Sequence, residues 1–296
     1  MQLTGPEILR RMQEKDKPDI IITPFDIRCL GSNSYDLHLA DTLRVYKHTL
    51  PGGMKPAIEY KGDKKFHSMR DWFEDEKTYE RFCKFPDIYD IRNPRYLIDP
   101  TNPTHHKTID IKIPERGLIL SPDVGYLGST VEYTETRNLF PYIDGKSSVG
   151  RNFILNHHTA GRGDDGFCGE WTLEIRVLYP TVVYPYMRIG QIYYEQFEGE
   201  RMPYDKNPHS HYNCQRGPTA AAIIPIDTFL KEKQKYKSPR RCFISGGDTG
   251  TVNPHLRRDG AMGPIHYVRF KRRIRLFSPT GVPNPFWVLV RAPYKN

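Results

Sequence analysis

A chain of 296 residues with 38% hydrophobic and 12% aromatic content is long enough for one large or two modest domains and a substantial core. No run reaches the ~18 consecutive apolar residues needed to cross a bilayer, and Met1-Gln2-Leu3-Thr4-Gly5-Pro6 opens no signal peptide, so a cytoplasmic protein with no membrane partner is expected. The net charge of +9 is uneven: Ala220 to Asn296 holds 15 Lys and Arg against 4 Asp and Glu, which predicts a basic extension over 220–296 on a near-neutral body over 1–219.

Ile8, Leu9 and Met12 recur at helical spacing and predict a short helix over Pro6 to Gln13, with Thr4 as its cap. Asp19 to Thr23 reads as a buried strand ended by Pro24. Gly31 to Leu39 alternates Ser34, Asp36 and His38 against Tyr35, Leu37 and Leu39, a strand with one polar face on which Asp36 has a structural role. Between His48 and Pro103 the rhythm breaks; this stretch reads as an insertion with a helix over His67 to Phe85 that carries Trp72, Phe73, Tyr79 and Phe82. Strands are expected over Lys107 to Ile113, Gly117 to Ser121, Gly125 to Tyr133, Val182 to Pro185 and Ile189 to Phe197. Many short strands broken by 25 Pro and 23 Gly imply a mainly β architecture.

Arg201 to Thr219 is polar and turn-rich, as a mobile surface segment would be. In the extension, Ile226 to Tyr236 predicts a lysine-rich helix, and His266 to Phe277 a strand that pairs with Phe286 to Val290. As a single strand it gathers Tyr267, Arg269, Lys271, Arg273 and Arg275 on one face, which makes nucleic acid a possible partner. Ser245 to Gly250 lacks the lysine and the following helix of a phosphate loop. The five cysteines, Cys29, Cys83, Cys168, Cys214 and Cys242, are odd in number and widely spaced, which suggests reduced thiols rather than a disulfide framework or a zinc knuckle.

The densest chemistry lies in Gly145 to Glu174. Lys146, Ser147 and Ser148 follow a glycine and suit phosphate oxygens, although the Walker spacing is absent. Trp171, Leu173 and Ile175 alternate with Thr172 and Glu174 as in a half-buried strand, and a carboxylate on such a strand needs a cation or a polar pocket.

The wording G-K-S-S-V-G-R, then H-H-T-A-G-R-G-D-D-G-F-C-G-E-W-T-L-E, then Ile189-Gly190-Gln191-Ile192 resembles the dCTP deaminase branch of the dUTPase-like superfamily. The likeness extends back to Gly31-Ser32-Asn33-Ser34-Tyr35-Asp36-Leu37 and on to Tyr212-Asn213-Cys214-Gln215-Arg216-Gly217-Pro218-Thr219. It implies a distorted jelly-roll or β-barrel, a homotrimer with sites at subunit boundaries, and a closing segment over the nucleotide. Glu174 matches the carboxylate that shuttles protons, and Ser147 and Arg151 match the pair that orients the attacking water. Lys146 and Ser148 match phosphate contacts, and the backbone from His157 through Thr159 to Ala160 matches the pyrimidine edge. Asp164 matches the acid that receives the deoxyribose 3′-hydroxyl, whereas Asp165 and Gly163 depart from the usual apolar residues. Tyr204 and Gln215 match triphosphate contacts. His211 stands where some members carry lysine and is expected on the triphosphate.

Deamination of cytosine needs a water at C4, a base and an acid, and one carboxylate can serve as both. The H-x-E and P-C-x-x-C signature of the zinc deaminases is absent, so the resemblance implies no zinc; Mg²⁺ would arrive on the triphosphate. Deamination of dCTP to dUTP is the first reading. A bifunctional enzyme forming dUMP stands close behind, because Asp164 also matches the water-activating aspartate of dUTPases. A pure dUTPase, which gives Glu174 no task, and a nucleotide-sensing or nucleic-acid-binding protein follow.

Overall fold

A computed structural model describes residues 1–62, 68–157, 160–236, 267–270 and 273–276. Its contacts form two compact units, Met1–Leu230 and Lys231–Asn296. The first is mainly β. After helix α1 (Gly5–Met12), its strands are β1 (Ile20–Thr23), β2 (Tyr35–His38), β3 (Thr42–Tyr46), β4 (Ala57–Glu59), β5 (Thr108–Lys112), β6 (Leu118–Leu120), β7 (Tyr126–Thr136), β8 (Phe140–Gly145), β9 (Ile154–Leu155), β10 (Cys168–Val177), β11 (Thr181–Val183) and β12 (Arg188–Glu195). They form a six-stranded sheet ordered β5-β3-β7-β10-β9 with β1 also on β7, and two three-stranded sheets, β11-β6-β4 and β2-β12-β8.

One core joins these sheets. Tyr35, Leu37 and Leu39 from the second sequence strand pack with Leu43, Val45, Tyr126, Leu173, Ile175, Ile192 and Tyr194, as strict alternation requires. Tyr193 lies on the other side of β12, stacked on Tyr142 with ring centroids 5.1 Å apart. The β7–β10 register shifts between Glu170 and Thr172. Thr130 fills that bulge by accepting the Trp171 N–H at 2.9 Å and donating to the Glu132 carbonyl at 2.8 Å. The buried Glu132 carboxylate then accepts from the backbone N–H of His38 at 2.9 Å, tying β2 to β7.

Asp36, on the polar face of β2, is buried. Other expectations are corrected. The helix expected over His67 to Phe85 is shorter, because Asp75 caps the N–H of Thr78 and starts α2 at Glu76–Lys84, after a separate 3₁₀ turn at Met69–Trp72; His67 lies outside the described residues. Phe73, Phe82 and Tyr89 cluster there with centroids 4.9 to 5.8 Å apart. Thr4 precedes α1 but makes no side-chain cap.

Helix α4 covers Ile226–Tyr236, as its spacing predicts. In the second unit, the strand expected over His266 to Phe277 is instead a hairpin of β13 (Tyr267–Phe270) and β14 (Arg273–Leu276). Val268 pairs with Arg275 and Arg269 with Ile274, so the alternation that put five residues on one face of a single strand does not apply. The Ser245 to Gly250 loop, Phe286 to Val290, Lys271 and Cys242 lie outside the described residues.

Gly163 shows why the central stretch departs from an aliphatic at that position. A Cβ there would sit 2.2 Å from the Trp171 ring and 2.8 Å from Pro141, and Trp171 is held by its own bond from Nε1 to Thr134 Oγ1 at 2.8 Å. Gly163→Ala should therefore cost about 1–3 kcal/mol through overpacking. Urea denaturation should show a lower midpoint with an unchanged slope; an unchanged midpoint would mean that Trp171 can yield.

Candidate active site

Strands β8, β9 and β10 follow one another in sequence and carry the candidate residues. β8 ends at Gly145, and Lys146 caps a single helical turn, α3 (Ser147–Gly150). β9 then pairs antiparallel with the end of β10, Leu155 opposite Arg176. Two residues further along the same register His157 stands opposite Glu174, and because side chains alternate, both lie on one face. His157 Nδ1 is 2.7 Å from Glu174 Oε2, with the imidazole 11% and the carboxylate side chain 41% exposed. Burial works against a charged His157, but the hydrogen bond and charge of Glu174 outweigh it, helped by the Ala160 carbonyl, and its pKa stands above the ordinary 6.5.

A second charge centre lies beneath Lys146. Both oxygens of the buried Asp36 accept from Lys146 Nζ, at 2.8 and 2.7 Å, and Arg188 Nη1 reaches the same carboxylate at 3.1 Å. Asn156 is buried and donates to the Asp144 and Ile189 carbonyls at 3.3 and 3.1 Å, which fixes the chain just before Lys146. From β12, Gln191 Nε2 donates to the Gly145 carbonyl at 3.1 Å.

The segment after residue 200 is pinned rather than loose. Asp165 is buried, accepts from the Asn138 N–H at 2.7 Å, and binds Arg201 through Nε at 2.8 Å and Nη2 at 3.1 Å. Tyr204 N–H donates to the Asp165 carbonyl at 2.6 Å, and its phenol oxygen accepts the N–H groups of His211 at 3.2 Å and Tyr212 at 3.0 Å. Gln215 lies alongside β10, with Nε2 on the Glu170 carbonyl at 2.8 Å, and Thr219 N–H reaches Thr172 Oγ1 at 3.1 Å. The next residue inward on that face of β10 is Glu174.

A family model described as dCTP deaminase-like matches residues 81–197. A curated protein of Leptospira biflexa named "dCTP deaminase, dUMP-forming" is 38% identical over 69% of this chain and 87% of its own length. One of the same name from Clostridium beijerinckii is 36% identical over 73% of this chain and 93% of its own. The chain belongs to the dCTP deaminase-like family. Among solved structures, it is similar to 2′-deoxycytidine 5′-triphosphate deaminase from Agrobacterium tumefaciens, at 15% identity and a TM-score of 0.39 over 65% of this chain and 47% of that one. The family match begins at residue 81, inside the stretch read as an insertion.

In this dCTP deaminase-like chain the residues singled out by sequence divide into groups. Glu174, His157 and the Ala160 backbone come together. Tyr204, His211 and Gln215 share one segment fastened to β10 and to the loop before it. Asp164 is exposed beside the buried Asp165. Ser147, Ser148 and Arg151 are exposed on and after α3. Arg151 borders a cavity of about 470 Å³ with Phe153, Tyr184 and Met187. Thr159 lies outside the described residues.

Two roles were not read from sequence. The His157 side chain, rather than its backbone, meets the carboxylate, and Asp36 holds Lys146. The signal for the first was the register between Ile154-Leu155 and Arg176-Val177, which local alternation does not reveal. No group of three or more His, Cys, Asp or Glu side chains among the described residues is placed to hold a metal ion.

The raised His157 pKa carries a sign. Its contribution to stability is fully present below the unfolded value of 6.5 and is lost as pH rises through the folded value. In NMR titration His157 should titrate above 6.5 in the native chain and lower in Glu174→Gln, and the stability gap between the two proteins should narrow on the alkaline side. Identical titration in both proteins would remove Glu174 as the cause.

Proposed function

We propose that this chain converts dCTP to dUMP, ammonia and pyrophosphate, by deaminating the ring and hydrolysing the triphosphate on one scaffold. The observation that carries this reading is the Glu174 carboxylate, set on an apolar strand and faced by His157, in a chain that spans most of two relatives named dUMP-forming. A carboxylate so placed takes the proton of a water attacking C4, then returns protons to N3 and to the departing amine. Arg151 and Ser147 orient that water and offset charge on the ring. Lys146, Ser148, Tyr204, His211 and Gln215 bind the phosphates. The Tyr204 oxygen accepts two backbone N–H groups, which leaves its own hydrogen available to a phosphate oxygen. Asp164, exposed and adjacent to the anchored Asp165, receives the 3′-hydroxyl and activates the water that attacks phosphorus.

Mg²⁺ enters on the triphosphate. The groups proposed to bind the phosphates, Lys146, Ser148, Tyr204, His211 and Gln215, are basic groups and neutral donors, a set suited to phosphate oxygens and not to a bare divalent ion. Ser147 and Arg151 meet Glu174 across a subunit boundary in a homotrimer, which accounts for their exposure within one chain.

Glu174→Gln should lower ammonia release from dCTP by ~10²–10⁴-fold, the loss expected for a general base, while nucleotide binding persists; retention of more than about a tenth of the rate would move the role elsewhere. Asp164→Asn should release ammonia while pyrophosphate release falls and dUTP accumulates. If wild-type protein produces dUTP without pyrophosphate, the chain is a deaminase alone. Sedimentation tests the trimer, and mixing inactive Glu174→Gln with inactive Arg151→Ala should restore part of the activity if the two residues come from different subunits. Two variants that stay inactive in confirmed mixed trimers place both residues in one chain.

A further inference from the structure

Two of the widely spaced cysteines meet. Cys168 opens β10, and Cys214 lies 46 positions later in the segment fastened to that strand. Gly169 and Gln215 form a parallel bridge, so the residues just before them, Cys168 and Cys214, lie side by side. Cys214 N–H donates to the Cys168 carbonyl at 2.6 Å. Asn213 Oδ1 accepts the Cys168 N–H at 2.9 Å and its thiol at 3.3 Å. The two Sγ atoms are 2.8 Å apart. Paired strands run about 5 Å apart, within the ~4.4–6.8 Å between Cα atoms that a disulfide requires.

Both positions can also be reached by reagent. Cys214 is exposed and Cys168 half-buried. Cys214 adopts a left-handed backbone, φ 58°. The other described thiols differ: Cys29 is buried and Cys83 is exposed on α2.

We propose that Cys168 and Cys214 are a site of reversible disulfide formation that covalently fastens the segment around Asn213–Thr219 to β10. With a peroxide as oxidant, one thiolate attacks an oxygen of hydrogen peroxide, giving a sulfenic acid and the first water. The second thiolate displaces the hydroxyl of that sulfenic acid as the second water, forming the S–S bond. Two thiols and one peroxide thus give one disulfide and two waters. A dithiol reductant reverses the bond by exchange. The bond adds a covalent tie to a segment otherwise held by hydrogen bonds such as those from Gln215 Nε2 and from the Gly217 N–H to Glu170.

The test uses the full chain, reduced, desalted and treated with hydrogen peroxide at about one equivalent per chain, then denatured and alkylated. The expected result is a monomer lighter by two hydrogen atoms before alkylation. Trypsin should then release the peptide Gly163–Arg176 joined to Asn207–Arg216, and dithiothreitol should separate them. Cys29 and Cys83 should be recovered alkylated. The oxidised protein should melt several degrees higher than the reduced one, a difference absent from Cys168→Ser and from Cys214→Ser. Should one variant fail to fold, the peptide map of the wild type and the other variant still decide. Full alkylation of both cysteines after peroxide overturns the proposal, as does Cys214 joined to any cysteine other than Cys168 of its own chain, or to one of a second chain.

Discussion

The antiparallel pairing of β7 with β10 is the constraint on which the rest of the structure depends. β7 runs from Tyr126 to Thr136 and is shared by β1, β3 and β10, so one strand sets the register of three others. Because Glu174 sits opposite Leu127 in that register, its distance from the core is fixed by backbone hydrogen bonds rather than by its own side chain. The short β9 then inherits its place from β10, and His157 inherits its place from β9. A carboxylate and an imidazole far apart in local pattern therefore meet without either being selected by its neighbours in sequence.

Buried charge recurs where a loop carries chemistry. Asp36 lies under Lys146 and Arg188, and Asp165 under Arg201. Removing a carboxylate from water costs several kcal/mol unless cations and donors replace the water, so each of these acids fixes the segment that supplies its partners. Asp36 sets the turn before α3, and Asp165 sets the entry to the segment that contains Tyr204. The departure at position 165 from an apolar residue is thus an exchange of packing for an ion pair.

Much of this was legible in the sequence, and the rest fails for identifiable reasons. Clean alternation makes Trp171 to Ile175, inside the longer Cys168–Val177, and Ile189 to Phe197, against the observed Arg188–Glu195, readable as strands, and spacing does the same for the helix at Ile226–Tyr236. Thr42–Tyr46 is short and follows β2 after only three residues, Phe140–Gly145 hides behind a proline and an aspartate, and Ile154–Leu155 is too short for any period. Glu174 was readable because a charge in an apolar strand needs a reason. Its contact with His157, the grip of Asp36 on Lys146 and the meeting of Cys168 with Cys214 all depend on pairings between distant segments, which no local pattern encodes. In the second unit the period-two rhythm of Tyr267 to Leu276 was real, but it belongs to two strands folded on each other rather than to one.

The parallel run of residues 214–217 along Cys168–Glu170 also finishes a sheet. At its start β10 is paired with β7 on one side only, and its other side would present unsatisfied N–H and C=O groups to any passing strand. Glu170 N–H instead donates to the Gln215 carbonyl at 3.0 Å, and Gln215 Nε2 to the Glu170 carbonyl. The segment that carries candidate phosphate ligands is thus also the cover of an adhesive edge. A chain cut before Asn213 would lose Gln215 and, at the same time, gain a surface ready for edge-to-edge self-association.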